Sequence, residues 1–364
     1  MPFAIALLVL LIELTPAHFI YTGPMLVATP ALAALTMGPK GTLAAAGVAV
    51  GVSVTTATYN GAWGTQQVYT NFLALFLVSM ASFMTSRTAR TRTENELNQI
   101  RRIATAAQEV LLRPVPDRLG PVRAASMYLA AETGAQIGGD LYDVVQTRYG
   151  VRMIVGDVRG KGLPAVRAAA VVLGAFREAV HYEDDLVDVI DHCGAALRRD
   201  AVVAGAGAGA VGDGDALLEG FVTALVAQIP DGPHVEVINR GHPPPLLLHE
   251  GTVRSLMPTV PLPPLGLEEF IDGPPGRTDS YPFAPGDRLL LCTDGVIEAR
   301  DPDNTFFDLS EAMMTMRDHT REAFLEGLRR ALLRHTQSRL ADDVAIILVD
   351  RREDEGHRSA GGPT

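Results

Sequence analysis

Five aspartates stand where strongly apolar runs of the chain begin or end. "IGGDLYD" places Asp140 after two glycines, the second being Gly139, and "IVGDVRGKGLPAV" delivers Asp157 into a glycine-rich turn. "LLLCTDGVIEA" sets Asp294 between an apolar run and Gly295, and "LADDVAIILV" puts Asp342 and Asp343 immediately ahead of another. A single aspartate in such a place is an ordinary turn former or helix cap. Several gathered at one site repel one another and raise each other's pKa values unless a cation is present. Mg²⁺ and Mn²⁺ are hard ions that prefer oxygen ligands and would relieve that repulsion. A glycine beside each carboxylate lets the backbone come close and offer carbonyls as further ligands.

The elements that must position these residues are legible in outline. Apolar, β-branched runs at 151–156, 221–229, 234–239, 244–249, 287–292 and 343–349 are mostly bounded by Gly, Pro or Asp, which predicts strands. Helices are predicted at 164–182, 185–199 and 310–338, the first with Pro164 near its start, where a missing N–H costs least. Two helices fall in succession and later strands follow one another directly, so regular βαβ alternation is absent. The pattern predicts an α+β fold, an antiparallel β-sandwich flanked by helices. Strands buried on both faces explain the near-continuous apolar runs.

The segments "GGDLYD", "GDVRGKGLPA", "FVTA", "NRGHPPPLL", "TDGVIEA" and "DDVAIILV" occur in that order between residues 123 and 350. Together they resemble the metal-dependent protein phosphatase (PPM) family, in its SpoIIE-type bacterial branch. The resemblance implies a β-sandwich with helices on its flanks and two Mn²⁺ or Mg²⁺ ions at one edge. Carried over by motif, Asp157 bridges both metals, the Val158 carbonyl assists, and Asp294 and Asp342 complete the set, with Asp140 close to it. Asp157, Asp294 and Asp342 thereby carry the catalysis. Asp343, Gly139, Gly295, Thr223, Gly241 and His242 belong to motifs that line or support the site. "GHPPPLL" reads as mainly structural, with a general-acid role for His242 as the alternative. Arg159 and Lys161 are open between contact with phosphate or partner and a simple turn role. The implied reaction is hydrolysis of a phosphomonoester by water activated between two ions. The implied substrate is a phosphoserine or phosphothreonine on a small regulatory protein, such as an anti-sigma-factor antagonist, an analogy of fold family alone.

The rest of the chain is of another kind. Residues 1–87 form an apolar region whose charged residues before Arg87 are Glu13 and Lys40, with apolar stretches at 3–21, 24–38, 41–59 and 70–86. Recurrent apolar stretches without a basic start predict membrane insertion, with three or four spans, and not a secretory signal. Four spans put the N-terminus, Lys40 and Arg87, Arg90 and Arg92 together on the cytoplasmic side. This predicts a multi-pass inner-membrane protein with its catalytic domain in the cytoplasm. Glu13 and His18 are polar groups of the first stretch, at an interface or helix end, or else sensing a ligand. Residues 88–118 are a linker, whose 88–113 part repeats Leu97, Ile100, Ala104, Ala107 and Leu111 at helical spacing, an amphipathic helix suited to a homodimer. A domain over 119–350 and a tail over 351–364 complete the chain. A net charge of −11 argues against nucleic-acid binding, and two cysteines without metal-type spacing argue against a zinc site.

Rival readings are visible. "HCGAALRR" fits the bare His-Cys-x5-Arg pattern of cysteine phosphatases, through Cys193 and Arg199, yet its helical periodicity predicts a buried cysteine. The G-x-G-x-x-G match at Gly207, Gly209 and Gly212 lacks the flanking strand and helix of a dinucleotide site. A catalytically weak membrane signalling scaffold that uses the same domain only to bind partners is the alternative function. A transporter is excluded by how much of the chain lies outside the apolar region.

Overall fold

The computed structural model describes residues 2–15, 22–131, 138–208, 220–268, 270 and 275–352. His18, Gly209, Gly212 and the tail from 353 lie outside the described residues, as do the side chains of Leu97, Ile100, Ala104 and Ala107. Two compact units divide the chain, residues 1–100 and 101–364.

The first unit is helical. It contains α1 (Pro2–Glu13), a 3₁₀ turn (Gly23–Val27), α2 (Ala28–Thr36), α3 (Gly38–Tyr59) and most of α4 (Gln66–Leu111). Two helical stretches, Gly38–Tyr59 and Gln66–Thr93, are long and apolar enough to cross a membrane, while Pro2–Glu13 and Gly23–Thr36 are shorter. Glu13, buried at the last position of α1, accepts hydrogen bonds from the Thr22 N–H at 2.7 Å, the Thr22 hydroxyl at 2.8 Å and the Asn60 amide at 3.2 Å. It thus ties three helix ends together.

The second unit is a two-sheet sandwich. Its strands are β1 (Arg118–Leu119), β2 (Val122–Leu129), β3 (Leu141–Thr147), β4 (Gly150–Val158), β5 (Val222–Ile229), β6 (His234–Arg240), β7 (Leu246–His249), β8 (Thr252–Ser255), β9 (Asp279–Pro282), β10 (Arg288–Cys292) and β11 (Val344–Arg351). One sheet runs β1-β2-β11-β10-β7-β8 and the other β3-β4-β5-β6-β9, and every strand pairing is antiparallel. Helices α5 (Leu163–Tyr182) and α6 (Leu186–Ala208) pack on the five-stranded sheet. Helices α8 (Leu309–Thr315) and α9 (Arg321–His335) pack on the six-stranded one, and α7 (Asp294–Ile297) is a single turn after β10.

The period of two along β11 shows why its sequence is apolar throughout. Ala345, Ile347 and Val349 enter the core shared with the other sheet, while Val344, Ile346 and Leu348 enter the core beneath α8 and α9. β10 divides likewise, Leu289 and Leu291 against Leu290 and Cys292.

Each predicted strand is present. The single helix predicted over 310–338 is instead two, α8 and α9. Thr320 caps the second, its side chain accepting from the Ala323 N–H, so a new helix starts there.

Candidate metal centre

The two sheets bring the acidic strand ends to one place. β3 begins at Leu141, paired with Gly156 near the end of β4, so Asp140 and Asp157 lie at the same end of one sheet. β10 ends at Cys292, paired with Ile346 near the start of β11, so Asp294 and Asp342 lie at one end of the other. Thr293 joins the two: its hydroxyl donates to Asp140 Oδ2 at 2.8 Å and accepts from the Ala345 N–H at 2.9 Å.

The electrostatics follow from this crowding. Burial, then the charge of Asp157, raises the Asp140 carboxyl well above the usual carboxylate range. Burial, then Asp294 and Asp342, raises Asp157 to about 7, and a hydrogen bond from Asp140 holds it from rising further. Burial, then Glu298 and Asp342, raises Asp294. Asp157 is the carboxylate that feels each of the other four.

Asp342 is half exposed, with Lys161 Nζ at 3.3 Å. Asp343 is buried and engaged. Its Oδ2 accepts from the Tyr128 hydroxyl at 2.5 Å and the Gly138 N–H at 3.0 Å, and its Oδ1 from the Ala131 N–H at 2.8 Å. It thereby anchors the backbone at Ala131 and at Gly138, two residues before Asp140. Two glycines make the close packing possible. A Cβ on Gly139 would lie 2.4 Å from Val158 Cβ and 2.8 Å from the Val158 carbonyl oxygen, and one on Gly295 would lie 1.9 Å from the Asp343 carbonyl oxygen.

His242 is a buried strut. Burial lowers its pKa to about 3, so the ring is neutral. Nε2 lies 3.1 Å from the Cys292 carbonyl oxygen, which can only accept, so Nε2 carries the proton. Nδ1 then accepts from the Thr223 hydroxyl at 3.1 Å. A ring with its one proton held by a backbone carbonyl is not placed to serve as a general acid. Gly241 before it takes φ +70°, and Asn239 bonds both the N–H and the carbonyl of His242 at 2.8 Å, which holds the bend before the prolines. Thr223 faces Asp157 across the β4–β5 ladder.

Cys193 lies in the middle of α6, fully buried, with its thiol pushed up to about 12. No thiolate nucleophile exists there. Arg159 is exposed and lies over the Phe221 ring at 5.1 Å. Residues not singled out by sequence also matter: Thr293, Tyr128 and Glu298. Their partners or their effect depend on tertiary contact, and only the position of Glu298, one helical turn after Asp294, left a sequence trace.

Among the described residues, no three His, Cys, Asp or Glu side chains converge closely enough to hold one ion by themselves. The carboxylates act on one another through charge: Asp157 feels Asp294, Asp342 and Asp343 and a hydrogen bond from Asp140, and Asp294 feels Glu298 and Asp342. An oxygen-only set of mutually repelling carboxylates fits an ion such as Mg²⁺, which takes one or two carboxylates and keeps several waters.

Comparison with known proteins accords with this geometry. The model of the family described as Stage II sporulation protein E (SpoIIE) matches residues 147–352, more than half of the chain. The chain belongs to the SpoIIE family. Protein IcfG of Synechocystis sp. is 27% identical to this SpoIIE-family chain over 254 residues, covering 60% of the chain and 37% of IcfG. The chain therefore spans little more than a third of that curated relative. The SiaA-PP2C domain of Pseudomonas aeruginosa superposes with a TM-score of 0.52 at 19% identity, covering 73% of the chain and 99% of that domain. The RsbU and RsbW domains of Rv1364c from Mycobacterium tuberculosis also give 0.52 at 24% identity, covering 66% of the chain and 62% of theirs. These likenesses establish the PP2C fold of the second unit.

Proposed function

We propose that the chain is a metal-dependent phosphatase that hydrolyses phosphoserine or phosphothreonine on a regulatory protein, of the anti-sigma-factor-antagonist kind. The observation that carries this reading is the electrostatic coupling of Asp157 to Asp140, Asp294, Asp342 and Asp343 at one edge of the sandwich. Two Mn²⁺ or Mg²⁺ ions, when bound, would supply an acidified water and offset the charge of the phosphoryl oxygens. Asp140, Asp157, Asp294, Asp342 and the Val158 carbonyl would hold them, Asp157 being the carboxylate that feels each of the others. Asp343 holds the backbone at Ala131 and at Gly138, and Thr293 fixes the orientation of Asp140. Catalysis then rests on positioning and charge, with no covalent enzyme intermediate required.

The test is hydrolysis of p-nitrophenyl phosphate with Mn²⁺. Asp294→Asn is expected to reduce the rate roughly 100-fold or more, since losing even a ligand's supporting partner costs about 10–100-fold. EDTA should abolish activity and thiol alkylation should not. Equal rates for wild type and Asp294→Asn would sink the reading. That no three of these side chains converge on one ion among the described residues favours a second reading, a catalytically weak scaffold that binds partners through the same domain. Metal binding by wild type without hydrolysis would support it.

The apolar region supports placement in the cell membrane, multi-pass, with the domain in the cytoplasm. Lys40 and the arginines 87, 90 and 92 would share the cytoplasmic side. The 88–113 segment, which is part of α4 as far as Leu111, is proposed as a homodimer contact that relays membrane or dimer state to the metal centre.

A further inference from the structure

We propose that Lys161 is a built-in counter-ion for Asp342 that an incoming divalent cation must displace, so that this lysine sets how tightly the centre binds metal. The inference rests on the metal-centre reading above. Lys161 Nζ lies 3.3 Å from Asp342 Oδ2 and 3.4 Å from Oδ1. It is one of two lysines in the chain, Lys40 being the other. Among the described residues it is the cation paired with a carboxylate of this cluster. Arg159, two positions earlier, is turned onto the Phe221 ring.

The local backbone explains how the ammonium gets there. Gly160 and Gly162 take φ +111° and +83°, a conformation that side-chain-bearing residues rarely adopt. The turn between β4 and α5 therefore has a lysine flanked by two glycines, and it doubles back toward the start of β11, 181 residues away. Asp342 Oδ1 also accepts from the Asp343 N–H at 3.0 Å, so the carboxylate is already oriented. An ammonium and a divalent ion seek the same oxygens and repel each other, so both cannot hold Asp342 at this range. The side chains are 38% and 50% exposed, so solvent screens the pair and its influence is modest.

Calorimetric titration of MnCl₂ into the purified, metal-stripped full chain in detergent tests this without reference to hydrolysis. Lys161→Met is expected to tighten Mn²⁺ binding about two- to fivefold at low salt, the range an exposed ion pair commands. The gain should shrink below about twofold in ~1 M NaCl, where the Debye length is about 3 Å. Lys161→Arg, which keeps the charge, should stay within about twofold of wild type. In an Asp342→Asn background the Lys161→Met change should do nothing. Wild type that binds Mn²⁺ while Lys161→Met binds equally or more weakly overturns the proposal. So does a gain that persists undiminished with Asp342→Asn, which would reveal a general field effect. Absence of Mn²⁺ binding by wild type overturns the metal centre itself, and the counter-ion with it.

Discussion

Asp157 binds its proton far more tightly in the folded chain than in the unfolded one. Its carboxyl titrates near 3.8 when free and at about 7 when folded, so the native state is favoured below 3.8 and loses that advantage as pH rises toward 7. Asp157→Asn removes the liability. In metal-free protein its melting temperature should match wild type near pH 4 and exceed it increasingly up to about pH 7. A gain of ~1 kcal/mol at pH 8 corresponds to about 2–4 °C for a domain of this size. Saturating Mn²⁺ should stabilise wild type and leave the variant nearly unmoved. Differential scanning fluorimetry across pH reads both effects, and a variant whose advantage over wild type is no larger at pH 8 than at pH 4 would argue against crowded charge. The five aspartates were legible because their glycine neighbours and strand-end positions are local features. Thr293 was not, because its partner Asp140 lies 153 residues away and a threonine in a strand-end turn carries no signal of its own.

Gly295 is the second residue of the one-turn helix α7, and its missing side chain lets that turn lie against β11. Alanine there would place Cβ 1.9 Å from the Asp343 carbonyl oxygen, a backbone atom that cannot swing aside. Gly295→Ala should therefore cost about 1–3 kcal/mol or more and push α7 away from β11, carrying Asp294 with it. Chemical denaturation would measure the loss, and an unperturbed midpoint would show that α7 is looser than its packing implies. Elements differed in how plainly the chain announced them. β4, β5 and β10 have apolar runs that can only be core strands. β2, with "VRAASMYL", carries alanines and an arginine of poor strand propensity and is held in the sheet by its full-length pairing with β11. β3 contains Asp143, an unlikely strand residue by composition, kept there because Arg177 of α5 pairs with it. The same Arg177 donates to the carbonyl of Leu111, the last residue of α4, at 2.7 Å.

At the scale of the whole chain, a helical unit and a sandwich unit have separate cores, which the change of composition after residue 87 foreshadows. The full chain is expected to resist carbonate extraction from membranes, whereas a chain lacking residues 1–87 should be released and still bind Mn²⁺. A released fragment whose hydrolysis rate and regulation are unchanged would count against a relay through α4. Two sequence expectations, the number of spans and the dimer seam, depend on surroundings that a single chain does not carry: lipid and a second copy. One more consequence follows from β11, which is greasy on both sides. Sliding such a strand by one position would exchange one oily face for another, so hydrophobic pattern alone does not choose its alignment. The choice falls to the polar pins at its two ends, Asp343 clasped by Tyr128, Ala131 and Gly138, and Asp350 clasped by Arg288. Those pins thereby decide that Asp342, and not a neighbour, is the residue presented beside Asp294.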